Sequence, residues 1–230
     1  MATTPFVLSL EGNIGAGKST VLAALRQRFA SHPNVVFVAE PVAEWERAGL
    51  LAAMYSGALS HVAFQMTAMA TRYSDLSRAL ATPGVSLLVA ERSLASDRRI
   101  FAQTHLRGIE ATAYETAADA LTAALPPARH ATVLIDVPVA ALQERVAQRG
   151  REAERDGADG GGGGGVSADY LRTLDVAHEK YYEQLGHPKA RVDGTPPTDD
   201  VVAAVVAAAR ALGAPLGGEP ARKTLSAERA

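Results

Sequence analysis

Gly12-Asn13-Ile14-Gly15-Ala16-Gly17-Lys18-Ser19 fits the spacing G-x-x-x-x-G-K-[ST], and Thr20 follows it. Glycines at such positions let backbone N–H groups curl around phosphate oxygens without Cβ clashes. A helix beginning near Lys18 would aim its positive dipole end at the anion. The Lys18 ammonium would bridge the β- and γ-phosphates, and the Ser19 hydroxyl would hold Mg²⁺. Lys18 is one of only four lysines set against nineteen arginines. Two carboxylates, Glu40 and Glu91, each end an apolar run downstream. One of them can help hold Mg²⁺ and the other can accept a proton from an attacking hydroxyl. Gln65, Ala68 and Arg72 lie within roughly 60° of one another on a helix, with the small Ala leaving room. They suit the wall of a pocket for a polar ring, although a boundary Gln and a snorkelling Arg have the same look.

The elements that must position these residues can be read from periodicity. Phe6–Leu10, Val35–Val38, Val85–Ala90 and Thr132–Val137 read as buried strands, and Arg191–Asp193 as a fifth. Helical stretches follow the phosphate loop and run over Leu59–Leu80, Ser96–Leu125 with a break near Gly108, Pro138–Gln148, Ser167 onward, and Asp199–Leu212. On Leu59–Leu80, Val62, Met66, Met69, Tyr73, Leu76 and Leu80 form one apolar stripe. Alternating strands and helices imply a three-layer α/β sandwich of the P-loop NTPase type, with a parallel sheet of about five strands. In such sheets ligands bind at the carboxyl ends of the strands, where Glu40 and Glu91 fall.

The composition fits this reading. A chain of 230 residues with no cysteine and a formal net charge of −2 excludes a disulfide framework, a thiolate metal site and a cysteine nucleophile. The near-neutral charge argues against a nucleic-acid polymer or a membrane surface as partner. No apolar run reaches the roughly 18 residues needed to span a bilayer. The expectation is a cytoplasmic protein with no leader, one domain over residues 1–212, and a disordered tail over 213–230.

Further residues then follow the phosphate loop in order: Glu40-Pro41-Val42-x-x-Trp45, Phe64-Gln65, Glu91-Arg92-Ser93-x-x-Ser96-Asp97-Arg98-x-Ile100-Phe101, and Arg149-Gly150-Arg151. This ordered set, over roughly residues 6–195, resembles the deoxynucleoside kinase family, nearest to the deoxycytidine and deoxyguanosine kinases. The resemblance implies ATP-dependent phosphorylation of a deoxyribonucleoside 5′-hydroxyl in nucleotide salvage, by a homodimer. Glu40 would be the general base and Arg92 would support the 5′-oxygen, while Ser19 and Glu91 would hold Mg²⁺. Gln65 would read the base edge, and Phe64 would stack on the ring. Val42, Trp45, Leu51, Met54, Ala68 and Phe101 would line the base pocket, although the aromatics could equally be core. Tyr55 and Glu154 would bind the 3′-hydroxyl, with Glu152 as the alternative acid. Arg145, Arg149 and Arg151 would bind the triphosphate, the last two from an arginine-rich lid, about residues 149–166, that closes on it.

An Arg72–Asp97 pair resembles the cytidine and purine type of enzyme rather than the thymidine type, and it could also be a purely structural pair. Six consecutive glycines, Gly160–Gly165, depart from the family's compact lid. Two other readings stay open. One is a nucleoside-monophosphate kinase of the thymidylate kinase kind; the other is a catalytically inactive structural relative.

Overall fold

The structure is a computed structural model, and it describes residues 4–150 and 166–217. Five parallel strands form one sheet in the order β2-β3-β1-β4-β5. They are β1 (Phe6–Glu11), β2 (Val35–Val38), β3 (Leu87–Glu91), β4 (Arg129–Asp136) and β5 (Lys189–Asp193). Leu10 registers with Glu91 and with Val133, so the central strands end level with one another.

Side chains alternate across β1 and supply two cores. Phe6, Leu8 and Leu10 pack with α1 (Lys18–Arg28), α8 (Val139–Arg149) and α10 (Thr198–Ala211) on one face. Val7 belongs to the other face, under α4 (His61–Leu80) and α7 (Gly108–Ala124). The expected α/β sandwich with a five-stranded parallel sheet is therefore present.

Several local features differ from the expectation. Two short helices, α2 (Val42–Arg47) and α3 (Leu50–Tyr55), fill a stretch in which periodicity picks out no element. Each is only six residues long, too short for a 3.6-residue repeat to declare itself. The helical stretch expected from Ser96 is broken up. It comprises α5 (Leu94–Ser96), a π-helical turn (Asp97–Ala102) and α6 (Gln103–His105), and α7 begins at Gly108. α9 (Ala168–Gln184) starts behind Ser167, whose hydroxyl accepts from the Tyr170 N–H at 3.1 Å. The tail expected from residue 213 begins as packed chain. Ala214 is buried in the first core and Leu216 packs against it, because two apolar side chains there find the α1–α10 side of the sheet. Among the described residues no helix is long and apolar enough to cross a membrane.

Candidate functional site

The phosphate loop joins β1 to α1, and its shape requires glycine. At Gly12 the backbone has φ 148°, and a Cβ there would stand 2.5 Å from the Ile135 carbonyl oxygen of β4. Gly15, at φ 84°, would press a Cβ against Val146 and Leu142 of α8. Gly12 and Asn13 are set back from the cleft. The Asn13 amide donates to the Leu171 carbonyl at 2.9 Å, and its oxygen accepts from the Ile14 N–H, so the residue braces the loop on α9. Ile14, Gly15, Ala16, Gly17, Lys18, Ser19 and Thr20 all border one cleft of about 630 Å³. The Lys18 ammonium donates to the carbonyls of Gly12 and Asn13 at 3.0 and 2.9 Å. Burial, aided by the charge of Arg92, brings it down to about 7, although Glu91, Glu40 and Glu11 oppose the fall.

The same cleft takes in the residues expected at the acceptor end. Val42, Trp45, Leu51, Met54 and Tyr55 come from α2 and α3, and Phe64, Gln65, Ala68 and Arg72 from α4. Trp45 and Phe64 meet edge to face, with ring centroids 5.4 Å apart. Gln65, Ala68 and Arg72 are buried on the shoulder of the α4 stripe, as the helical spacing requires. Arg72 donates to both oxygens of Asp97 at 2.7 and 3.1 Å, to Glu40 Oε1 at 2.9 Å and to the Glu91 carbonyl at 3.2 Å. Burial works against its charge, but Asp97 and Glu40 outweigh that and keep the guanidinium protonated. Arg92 Nε donates to Glu40 Oε2 at 3.3 Å. Each Glu40 oxygen therefore carries a guanidinium. Burial alone would raise the Glu40 pKa, yet Arg92, Arg72 and Lys18 hold it at about 2.

Glu91 Oε1 accepts from the Ser19 hydroxyl at 2.7 Å. These are two hard oxygen donors beside the phosphate loop. They fit Mg²⁺, which binds few protein carboxylates and keeps phosphate oxygens and waters as its other ligands. Among the described residues no group of three or more His, Cys, Asp or Glu could form an all-protein metal cage. Arg145 and Arg149 border the cleft from α8, and Arg145 Nη2 donates to the Gly194 carbonyl at 2.9 Å. Arg151, Glu152, Glu154 and the Gly160–Gly165 run lie outside the described residues.

Sequence reasoning passes over three contributors. Glu11 is the last residue of β1 and is fully buried; it accepts from the Ser93 hydroxyl at 2.9 Å, and its other oxygen stands 3.9 Å from Arg92 Nη1. A charged residue in line with an apolar strand is the signal that could reveal it. Tyr170 of α9 borders the cleft, with its hydroxyl 2.9 Å from His105 Nε2. His178 lies two helical turns further along the same face and touches Arg92. Arg92 itself is the one non-glycine among the described residues with positive φ, at 68°. A left-handed conformation costs such a residue about 1–2 kcal/mol. It survives here because the guanidinium is held on several sides.

The cleft can bind a phosphorylated donor at one end and a polar ring at the other, with a carboxylate between them. Comparison with known proteins agrees. Residues 8–205 match the model of the family described as deoxynucleoside kinase. The thymidine kinase of Ictalurid herpesvirus 1 (strain Auburn) is 30% identical over 209 residues, covering 87% of this chain and 84% of the viral protein. A family match that spans the phosphate loop, both strand-end carboxylates and the helix carrying Gln65 and Arg72 leaves one assignment: the chain belongs to the deoxynucleoside kinase family and is a nucleoside phosphotransferase.

Proposed function

We propose that the chain transfers the γ-phosphoryl group of ATP, or of another nucleoside triphosphate, to the 5′-hydroxyl of a deoxyribonucleoside, preferring deoxycytidine and the purine deoxynucleosides over thymidine. The observation that carries this reading is the charge balance around Glu40. The guanidiniums of Arg72 and Arg92 are matched by the carboxylates of Glu40 and Asp97. Among the described residues neither of these guanidiniums is left over for an acceptor phosphate, so a neutral hydroxyl fits better than a nucleoside monophosphate.

In the reaction the 5′-oxygen bonds to the γ-phosphorus, the bond from that phosphorus to the β-bridging oxygen breaks, and the hydroxyl proton passes to Glu40. A carboxylate held near pKa 2 is a weak base. It takes the proton only as the new bond forms, which suits a loose transition state. Arg92 supports the 5′-oxygen. Lys18, the N–H groups of the loop, and Arg145, Arg149 and Arg151 hold the triphosphate. Ser19 and Glu91 would hold Mg²⁺, which when bound offsets phosphate charge. Gln65 hydrogen-bonds the base, while Trp45, Phe64 and Phe101 enclose it, and Tyr55 with Glu154 takes the 3′-hydroxyl. Asp97 can accept from the exocyclic amine of cytosine or adenine and Arg72 can donate to the O6 carbonyl of guanine, whereas the 5-methyl group of thymine would crowd the pair. Nucleotide salvage by a cytoplasmic homodimer belongs to the same proposal.

Phosphorylation of thymidine is the second reading, supported by the name of the viral relative. A phosphoryl-transfer panel over the four deoxynucleosides and their monophosphates, with ATP and Mg²⁺, tests both readings. Deoxycytidine or a purine deoxynucleoside should show the highest kcat/KM. Thymidine as the best acceptor would overturn the preference, and a monophosphate as the best acceptor would overturn the acceptor class. With the best substrate, Glu40→Gln should lower kcat by about 10²-fold while nucleoside binding persists.

A further inference from the structure

Arg92 has to present its Nε–H to Glu40 in a fixed plane, and its own backbone is strained. Two groups besides Glu40 define that plane. The Phe101 ring lies under the guanidinium, 4.6 Å from centroid to Cζ. His178 meets its edge, with Nε2 3.3 Å from Arg92 Nη1. The other ring nitrogen, Nδ1, lies 2.7 Å from the Leu174 carbonyl oxygen. A carbonyl can only accept, so Nδ1 must carry a proton, and in a neutral ring Nε2 is then a bare acceptor aimed at Arg92.

We propose that His178 is a positioning residue for phosphoryl transfer: as a neutral imidazole protonated on Nδ1, it accepts from Arg92 Nη1 and fixes the guanidinium against Glu40. The proposal rests on the reading of Arg92 as the group that supports the acceptor oxygen. The surroundings favour the neutral form. His178 is buried, with the Arg92 and Lys18 charges nearby, and burial followed by Arg92 drives its pKa down to about 3. The Leu174 and Gly12 carbonyls pull the other way and are outweighed. α9 thus reaches the site at several points, because Leu171 anchors Asn13 of the phosphate loop and the Tyr181 hydroxyl lies 3.1 Å from the Ser93 hydroxyl.

Two substitutions separate the ring nitrogens. His178→Gln can place an oxygen near the position of Nε2 and keep an acceptor for Arg92. His178→Asn can keep a donor for Leu174 but has nothing that reaches Arg92. The expected result is a kcat lowered roughly 10-fold in His178→Asn with nucleoside KM nearly unchanged, and kcat largely retained in His178→Gln. In an Arg92→Lys background, which cannot serve Glu40 and His178 together, His178→Asn should cost little more. Equal loss in both folded variants, or a full further loss in the Arg92→Lys background, would overturn the proposal. A readout independent of activity guards against failure of the functional reading itself. The ¹⁵N spectrum of the wild-type protein at neutral pH should show His178 protonated on Nδ1 and bare at Nε2. Protonation at Nε2 would overturn the proposal even if no nucleoside were phosphorylated.

Discussion

Glu11 shows how a single buried side chain can shape the site without bordering the cleft. Burial raises its pKa above the usual carboxylate value, and Arg92, Ser93, Ser96 and Arg72 only partly offset the rise. One of its oxygens has no hydrogen-bond partner among the described residues. The sign of the linkage follows. Below the unfolded value, about 4.5, both states hold the proton and pH has no effect through this group. Above it the unfolded chain ionises while the folded protein keeps its proton longer, so stability falls as pH rises toward the folded value. Glu11→Gln removes that fall. The melting temperature of the variant relative to wild type should therefore climb as pH rises above about 4.5. A flat or falling difference over that range would show that Glu11 is ionised in the folded protein.

At the scale of elements, what was legible in the sequence depended on how far a pattern repeats. The phosphate loop was legible because its chemistry demands glycine at Gly12 and a lysine at Lys18 in a fixed spacing. α4 was legible because twenty residues hold enough turns to fix a face, and Gln65, Ala68 and Arg72 followed from that face. α2 and α3 were not, and neither was the π turn, where each hydrogen bond spans one residue more than in an α-helix. That turn seats Asp97 against Arg72 and Phe101 under Arg92, a juxtaposition that depends on tertiary contacts and leaves no periodic trace. His178 was hidden for a similar reason, since its role depends on which strand end lies beneath α9.

The cap of α9 offers a test at this scale. Ser167→Ala removes the acceptor for the Tyr170 N–H and should cost about 1 kcal/mol of stability. Tyr170 in that first turn borders the cleft and packs on the same small cluster as Phe101, so on the proposed function KM for the nucleoside should rise while kcat at saturation stays near wild type. Melting curves and steady-state kinetics together check this. A fall in kcat with KM unchanged would mean that the first turn serves the transferring group instead.

Across the whole molecule the buried apolar residues are unevenly shared. The two faces of the sheet carry the large clusters. The walls of the cleft rest on two small ones, Trp45, Leu51, Met54, Phe64 and Ala68 on one side, and Ile100, Leu174 and Tyr181 on the other. Elements with few buried contacts open at low free energy, whereas central strands open only with global unfolding. By that rule the sheet and the phosphate loop should be the rigid frame, and α2 with α3 the compliant wall. Amide hydrogen exchange should be slowest in β1, β3 and β4 and markedly faster across residues 42–55. On the proposed function a bound deoxynucleoside would bury its base against that same wall, so protection should rise most across residues 42–55 and in the first half of α4. The central strands should slow only by the amount that ligand binding adds to global stability. Exchange in α2 and α3 as slow as in β1 without ligand, or unchanged by a saturating nucleoside, would mean that the wall is preformed and that specificity comes from a rigid pocket.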